Sequence, residues 1–333
     1  VPATDRPVAG HHVALAWIRA DPPAAVALAG IIATILAFYC LVPIFPTINQ
    51  RAGQTVLQWA RAAWNPETHY EHGPLVPFIV LILIWNALPK LDGAAPRPAR
   101  EGLAPVIAGV LFYLLSARAV EPRIALAGLP LLLWGGVLYA AGWRFARVLL
   151  FPIGCLLFMI PVPGVDQATV RLQLLVAHAS SVISTAIGIP MAVIGTTVRA
   201  ADQSFNFEIA GGCSGINSLM AITLMTAVFA HLSESSLWKK IFLFAASVPV
   251  AIIGNIARLV AIMIVAKCFG QDVAGGWFHE ISAYVVSFPL ALACLWAIHK
   301  MLNWPIPAAP GPGSRSGDAG IPLRPSPANP YDY

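Results

Sequence analysis

At 333 residues, 58% of them hydrophobic and only 11% charged, the chain falls far below the roughly 25% charged residues of a soluble domain. Its mean hydropathy of +0.74 and long apolar blocks argue against a water-soluble enzyme and for an integral membrane protein. The net charge of +5 does not point to nucleic acid, because the Lys and Arg residues are scattered over loops and form no stripe with interleaved aromatics.

In chain order, residues 1–23 read as a cytoplasmic N-terminal segment. No n-region, h-region and cleavage site occur in sequence, so no cleaved signal peptide is expected and the first apolar span is expected to direct insertion. Eight spans follow, at 24–44, 73–89, 103–119, 124–141, 146–162, 214–231, 241–267 and 279–298. Each is apolar enough and about long enough to cross a hydrocarbon core, which takes about 20 helical residues. Only helices satisfy their own backbone in lipid where no barrel pattern is present. The expected fold is therefore all-α and polytopic, with a membrane catalytic domain over 24–298. Positive charge sets the orientation. Arg6, Arg19, Lys90, Arg97, Arg100, Arg144, Arg147, Lys239, Lys240, Lys300, Arg315 and Arg324 fall on one set of loops, which is assigned to the cytoplasm with both termini. The segment 163–212 then faces outward.

That segment is too long for a plain connector. Residues 166–187 predict an amphipathic helix on the membrane surface. The stretch "MAVIGTTVRAADQSFNFEIAGG" predicts a small β-hairpin that delivers the chain to Cys213. Residues 299–333, rich in Pro, Gly and Ser from Pro305 onward, read as a disordered cytoplasmic tail. Of five cysteines, Cys40, Cys155 and Cys294 lie inside apolar runs, so no disulfide framework is expected. Cys213 and Cys268 are the pair that a bridge would join. The histidines show no metal-ligand spacing, and no cofactor is called for.

Three polar residues are badly placed for mere solubility: Cys213 opening the sixth span, Arg258 inside the seventh, and His279 opening the eighth. Helix rise from the cytoplasmic end of each span puts them at heights of roughly 27, 27 and 31 Å, one level near the outer face. A thiol at a helix start is favoured as thiolate by the unpaired N–H groups, and a nearby Arg favours it further. Gly212, with Gly211 and Gly215, leaves room for a substrate backbone. Arg258 cannot shed its charge, so in a membrane it needs an anion or a wet cavity. His279 can exchange a proton near neutral pH. Asn255, one turn before Arg258, shares its helix face. Blander readings stand beside these: a cysteine as a small apolar filler, an Arg paired with a structural carboxylate or a lipid phosphate, an interfacial histidine. Glu208, His69 and His72 are the outlying candidates for an assisting role. A rival from another class is a non-enzymatic membrane subunit for exopolysaccharide export or assembly, with Arg258 and His279 lining a polar path.

The stretches "GGCSGINSL" (211–219), "NIARL" (255–259) and "WFHEISAY" (277–284), in that order on three successive spans, resemble the exosortase/archaeosortase family of membrane-embedded transpeptidases. "THYEHGPLVP" (68–77) and "FPIGCLLFMIPVP" (151–163) resemble it too, and the similarity runs from about residue 60 to 298. The resemblance implies a bacterial inner-membrane enzyme whose active site faces the periplasm. Its substrates would be secreted proteins ending in a short motif such as Pro-Glu-Pro, a transmembrane helix and a basic cluster. By the same resemblance Cys213, with Ser214 beside it, would form a thioester acyl-enzyme. His279 would handle the proton, Arg258 would stabilise thiolate or oxyanion, and an acceptor would resolve the thioester. Hydrolysis and transfer are not separated by the sequence.

Overall fold

The computed structural model describes residues 21–47, 50–65, 68, 70–162, 165–208 and 216–304. Helix α1 (Pro22–Leu41) begins where the Asp21 carboxylate accepts from the Ala24 N–H and two prolines occupy the first turn, the arrangement that satisfies orphan donors and pre-sets φ. A two-stranded ribbon follows, β1 (Phe45–Thr47) and β2 (Gln50–Gln54), then α2 (Val56–Ala63). A reciprocal capping box between Thr55 and Gln58 starts α2. Helices α3 (Val76–Ala87), α4 (Leu103–Ala119), α5 (Pro122–Ala141) and α6 (Trp143–Gly154) complete the first half; short 3₁₀ turns flank α3 and extend α6 through Cys155–Met159.

α4 and α5 pack through glycines. A Cβ on Gly109 would lie 2.6 Å from the Leu132 side chain and 3.0 Å from the Gly128 carbonyl oxygen, so only hydrogen fits. Small residues at such seams let helix backbones approach in lipid, where dispersion rather than water exclusion drives association. Polar tips inside this half are bonded to backbone: the Tyr39 hydroxyl donates to the Ala125 carbonyl at 2.7 Å, and Trp134 Nε1 donates to the Ala146 carbonyl at 2.7 Å.

The second half starts with α7 (Val165–Ala186), followed by a three-stranded antiparallel sheet of β3 (Met191–Ile194), β4 (Thr197–Ala200) and β5 (Asn206–Glu208). Then come α8 (Ile216–Ser233), α9 (Leu237–Phe269), α10 (Gln271–Gly275), α11 (Trp277–Ser282), a π turn (Ala283–Ser287) and α12 (Phe288–Leu302). The expected hairpin is thus a hairpin plus a third strand. α7 differs from the expected surface helix in which face it buries. Gln173, Ser180, Ser181 and Ser184 face the protein; the Ser184 hydroxyl donates to Met263 Sδ at 3.1 Å. Val170, Leu175, Val182 and Ile187 are exposed. Val176 and Ala177 are fully buried beside these polar residues and pack with Leu259, Ile262 and Met263 of α9, so polar and apolar residues share the contact while other apolar residues face out, as lipid contact favours.

Among the described residues six helices, counting the turns that extend them, are long and apolar enough to cross a membrane: Pro22–Leu41, Gly73–Leu91, Arg100–Ala119, Pro122–Ala141, Leu237–Phe269 and Trp277–Leu302. The chain is a multi-pass membrane protein. The span expected at 146–162 is an α-helix of 12 residues with a 3₁₀ extension, whereas that expected at 214–231 coincides with α8, 18 residues long. α6 holds Pro152 and tightens into a 3₁₀ turn after Gly154, and α8 is described as an apolar helix over Leu219–Ser233.

Candidate active site

Arg258 lies in the C-terminal half of α9, and its residue is only 6% exposed. Its Nε donates to the Ser282 hydroxyl at 2.7 Å, and its Nη2 donates to the main-chain carbonyl of His279 at 2.9 Å. Ser282 Oγ also donates to that carbonyl, at 2.7 Å. The guanidinium fork therefore grips one turn of α11, the turn that bears the half-buried His279. A planar fork makes two directed bonds that an ammonium cannot reproduce. The His279 ring is close enough to feel the Arg258 charge. Asn255, 1% exposed, stands one turn earlier on α9.

The backbone beneath this turn is irregular for a reason. The π turn at Ala283–Ser287 inserts an extra residue into the helix, a feature that often re-aims side chains at functional positions. It sits against Gly254: the Ser287 hydroxyl donates to the Gly254 carbonyl at 3.1 Å, and a Cβ on Gly254 would meet the Ser287 carbonyl oxygen at 3.1 Å. Gly254 thus seats the π turn rather than breaking α9.

The small sheet docks above the same region. Gln271 Oε1 accepts from the Asn206 N–H at 3.2 Å, and Lys267 pairs with Asp202. That pairing holds the exposed Asp202 carboxyl well below the usual carboxylate range. Phe207 lies 3.5 Å from where a Cβ on Gly275 would be.

Cys213, Ser214, Gly212 and His69 lie outside the described residues, as does the side chain of Glu208. The described flanks of Cys213 are β5, which ends at Glu208, and α8, which begins at Ile216. α8 and α9 run antiparallel, with Ser247 Oγ 3.4 Å from Thr223 Oγ1. Seven residues on from each, two helical turns, Ile216 comes level with Gly254, one turn from Arg258.

His72 is placed elsewhere. Its Nε2 donates to the Phe158 carbonyl at 3.1 Å, and Tyr70 and Trp64 bond the same 3₁₀ exit from α6: Val162 N–H donates to Tyr70 Oη at 3.1 Å, and Trp64 Nε1 donates to the Met159 carbonyl at 2.9 Å. Burial pushes the His72 imidazole below its ordinary value. Cys268 is exposed and forms no disulfide. Sequence reasoning missed Ser282; its signal is spacing, three residues after His279 and so on the same side of the turn.

A family model for transmembrane exosortases matches residues 64–297, more than two-thirds of the chain. The chain belongs to the transmembrane exosortase family. No curated protein and no solved structure matches it. The exosortase match takes in the His72 loop, the exit from α6, Cys213, Arg258 and His279. Family and fold together make the protein a multi-pass exosortase, a membrane enzyme concerned with protein sorting.

Proposed function

We propose that this exosortase is a cysteine-dependent peptidase and transpeptidase of the bacterial inner membrane, with its active site at the periplasmic face. Its substrates are secreted proteins carrying a C-terminal motif, a transmembrane helix and a basic tail. The observation that carries the reading is the Arg258 fork: a permanent charge buried in a membrane helix and bonded to the very turn that bears His279. Charges buried in membranes are costly, and those that persist mark functional sites.

The steps follow from the groups. The Cys213 thiolate attacks the scissile carbonyl carbon, and the π electrons move to oxygen. Arg258 balances that charge, whether on sulfur or on oxygen. The C–N bond breaks as protonated His279 gives its proton to the departing amine, leaving a thioester and the tail peptide. An acceptor nucleophile then gives its proton to His279 and attacks the thioester, and the thiolate leaves. Gly212 and Ser214 flank the nucleophile, and Asn255 supports the Arg258 side of the pocket. The register of α8 on α9, which brings Ile216 level with Gly254, supports a meeting of Cys213 with Arg258.

The test is co-expression with a secreted protein bearing the three-part tail. Cys213→Ala, made at normal levels in the membrane, is expected to leave the substrate full-length. Processing that continues in Cys213→Ala refutes the proposal.

A further inference from the structure

The two halves of the bundle meet along a cleft far from Arg258. α6 and its 3₁₀ extension form one wall, with Gly154 and Phe158; α8 and α9 form the other, with Ala227 and Phe244. The cleft measures about 370 Å³, within the range of small-molecule sites. Its wall is apolar except at one end, where His231 and Lys240 line it. The His231 ring stacks on Phe151, centroids 3.8 Å apart and planes parallel, which closes that end between α6 and α8. The charges of both Lys240 and Lys90 bear on the His231 ring. Among the described residues neither lysine has an ion pair or a hydrogen bond. The carboxylate nearest in sequence, Glu234, is engaged by His299 and Asn303 at 2.8 and 2.7 Å. Leu237 and Ile241 at the opening are exposed, so the cleft opens sideways toward lipid. Along α9 Lys240 is 18 residues from Arg258, about 27 Å of helix, which puts the charged end near the opposite membrane boundary.

An apolar slot in a membrane chain, with the Lys240 ammonium at one end, matches one molecule with both features: an acyl chain attached to a phosphate. We propose that this cleft holds an acyl chain of an anionic phospholipid from the leaflet on the Lys240 side, with the phosphate against Lys240. Basic pockets between membrane helices select anionic headgroups in this way. A zwitterionic headgroup brings its own cation to the same lysine and is disfavoured. Gly154 gives a clean handle, because a Cβ there meets nothing within 4 Å. A side chain at 154 enters the cleft without a clash.

The full chain in detergent is titrated with phosphatidylglycerol or phosphatidylcholine, and bound lipid is counted by native mass spectrometry. The expected result is saturable retention of one phosphatidylglycerol per chain, at least tenfold over phosphatidylcholine. Gly154→Phe and Lys240→Gln each lower that retention at least tenfold. Lys239→Gln, whose parent Nζ donates to Asn303 Oδ1 at 2.5 Å, leaves it unchanged. Equal retention of the two lipids overturns the proposal. So does undiminished retention in Gly154→Phe, which means surface attraction without entry of the chain, or a second copy of the protein occupying the cleft. If Gly154→Phe does not fold, Lys240→Gln with the same lipid pair decides.

Discussion

The Ser282 hydroxyl sits between Arg258 and the carbonyl of His279, so it acts through them as a positioning residue. A hydrogen bond to a charged group contributes about 1.5–3 kcal/mol. Ser282→Ala is therefore expected to cut kcat at least about tenfold with little change in KM. Arg258→Lys loses the fork and is expected to cost about 100-fold or more, the scale seen when one oxyanion donor is removed. Equal steady-state rates for wild type and Arg258→Lys contradict the role given to the guanidinium. A second residue-scale prediction concerns acid. His72 is half-buried just outside the Gly73–Leu91 span, and burial lowers its pKa. The unfolded chain then binds more protons than the folded chain as pH falls below the ordinary histidine value near 6.5. Stability present above that pH is lost as pH falls. His72→Gln, which keeps a donor for the Phe158 carbonyl, is expected to flatten the dependence of melting temperature on pH between about 7 and 5. An unchanged slope contradicts it. At this scale Arg258 and His279 were legible because charge and imidazole inside apolar sequence have few innocent uses. Ser282 was not, since a serine in a membrane helix has no distinctive pattern until its partner is known.

Among elements, the glycine seam of α4 and α5 carries the clearest prediction. A Cβ on Gly128 would lie 2.8 Å from Phe112 Cβ and 3.0 Å from the Gly109 carbonyl oxygen. Overpacking of this kind costs about 1–3 kcal/mol. Gly128→Val is expected to lower the melting temperature in detergent and reduce the folded yield, whereas Gly30→Val, at a site with nothing within 4 Å, leaves both near wild type. Equal melting of the two variants contradicts the seam. Long apolar helices were legible from hydropathy because lipid demands their length. The ribbon β1–β2 and α2 were not read, although Thr55 and Gln58 spell a capping box. They are short, and their pattern carries no membrane-length signal. The helix expected at 166–187 is present as α7, but its buried face mixes Ser180, Ser181 and Ser184 with Val176 and Ala177, a mixture that hydropathy alone does not assign to one side. The π turn has no sequence signature; it is set by the close approach of Ser287 to Gly254.

At the scale of the whole molecule, the functional geometry depends on long-range assembly. α9 runs for 33 residues, about 50 Å, so it overshoots the membrane and carries the sheet on its far end through Lys267 and Asp202. Arg258 therefore lies about three turns short of the end of its helix, where its guanidinium is bonded to α11. Helix rise put Arg258 and His279 at similar heights, and the Arg258 guanidinium is bonded to the His279 carbonyl. The central claim is that the Cys213 sulfur joins them. In a chain whose other cysteines are replaced, native Cys213 is paired with His279→Cys and treated with a short bifunctional thiol reagent; the pair Asn206→Cys and Gln271→Cys, whose parents are hydrogen-bonded, serves as the positive control. The account predicts an intramolecular 213–279 cross-link by mass spectrometry in a yield comparable with the control. A control that cross-links while 213 and 279 do not would contradict it.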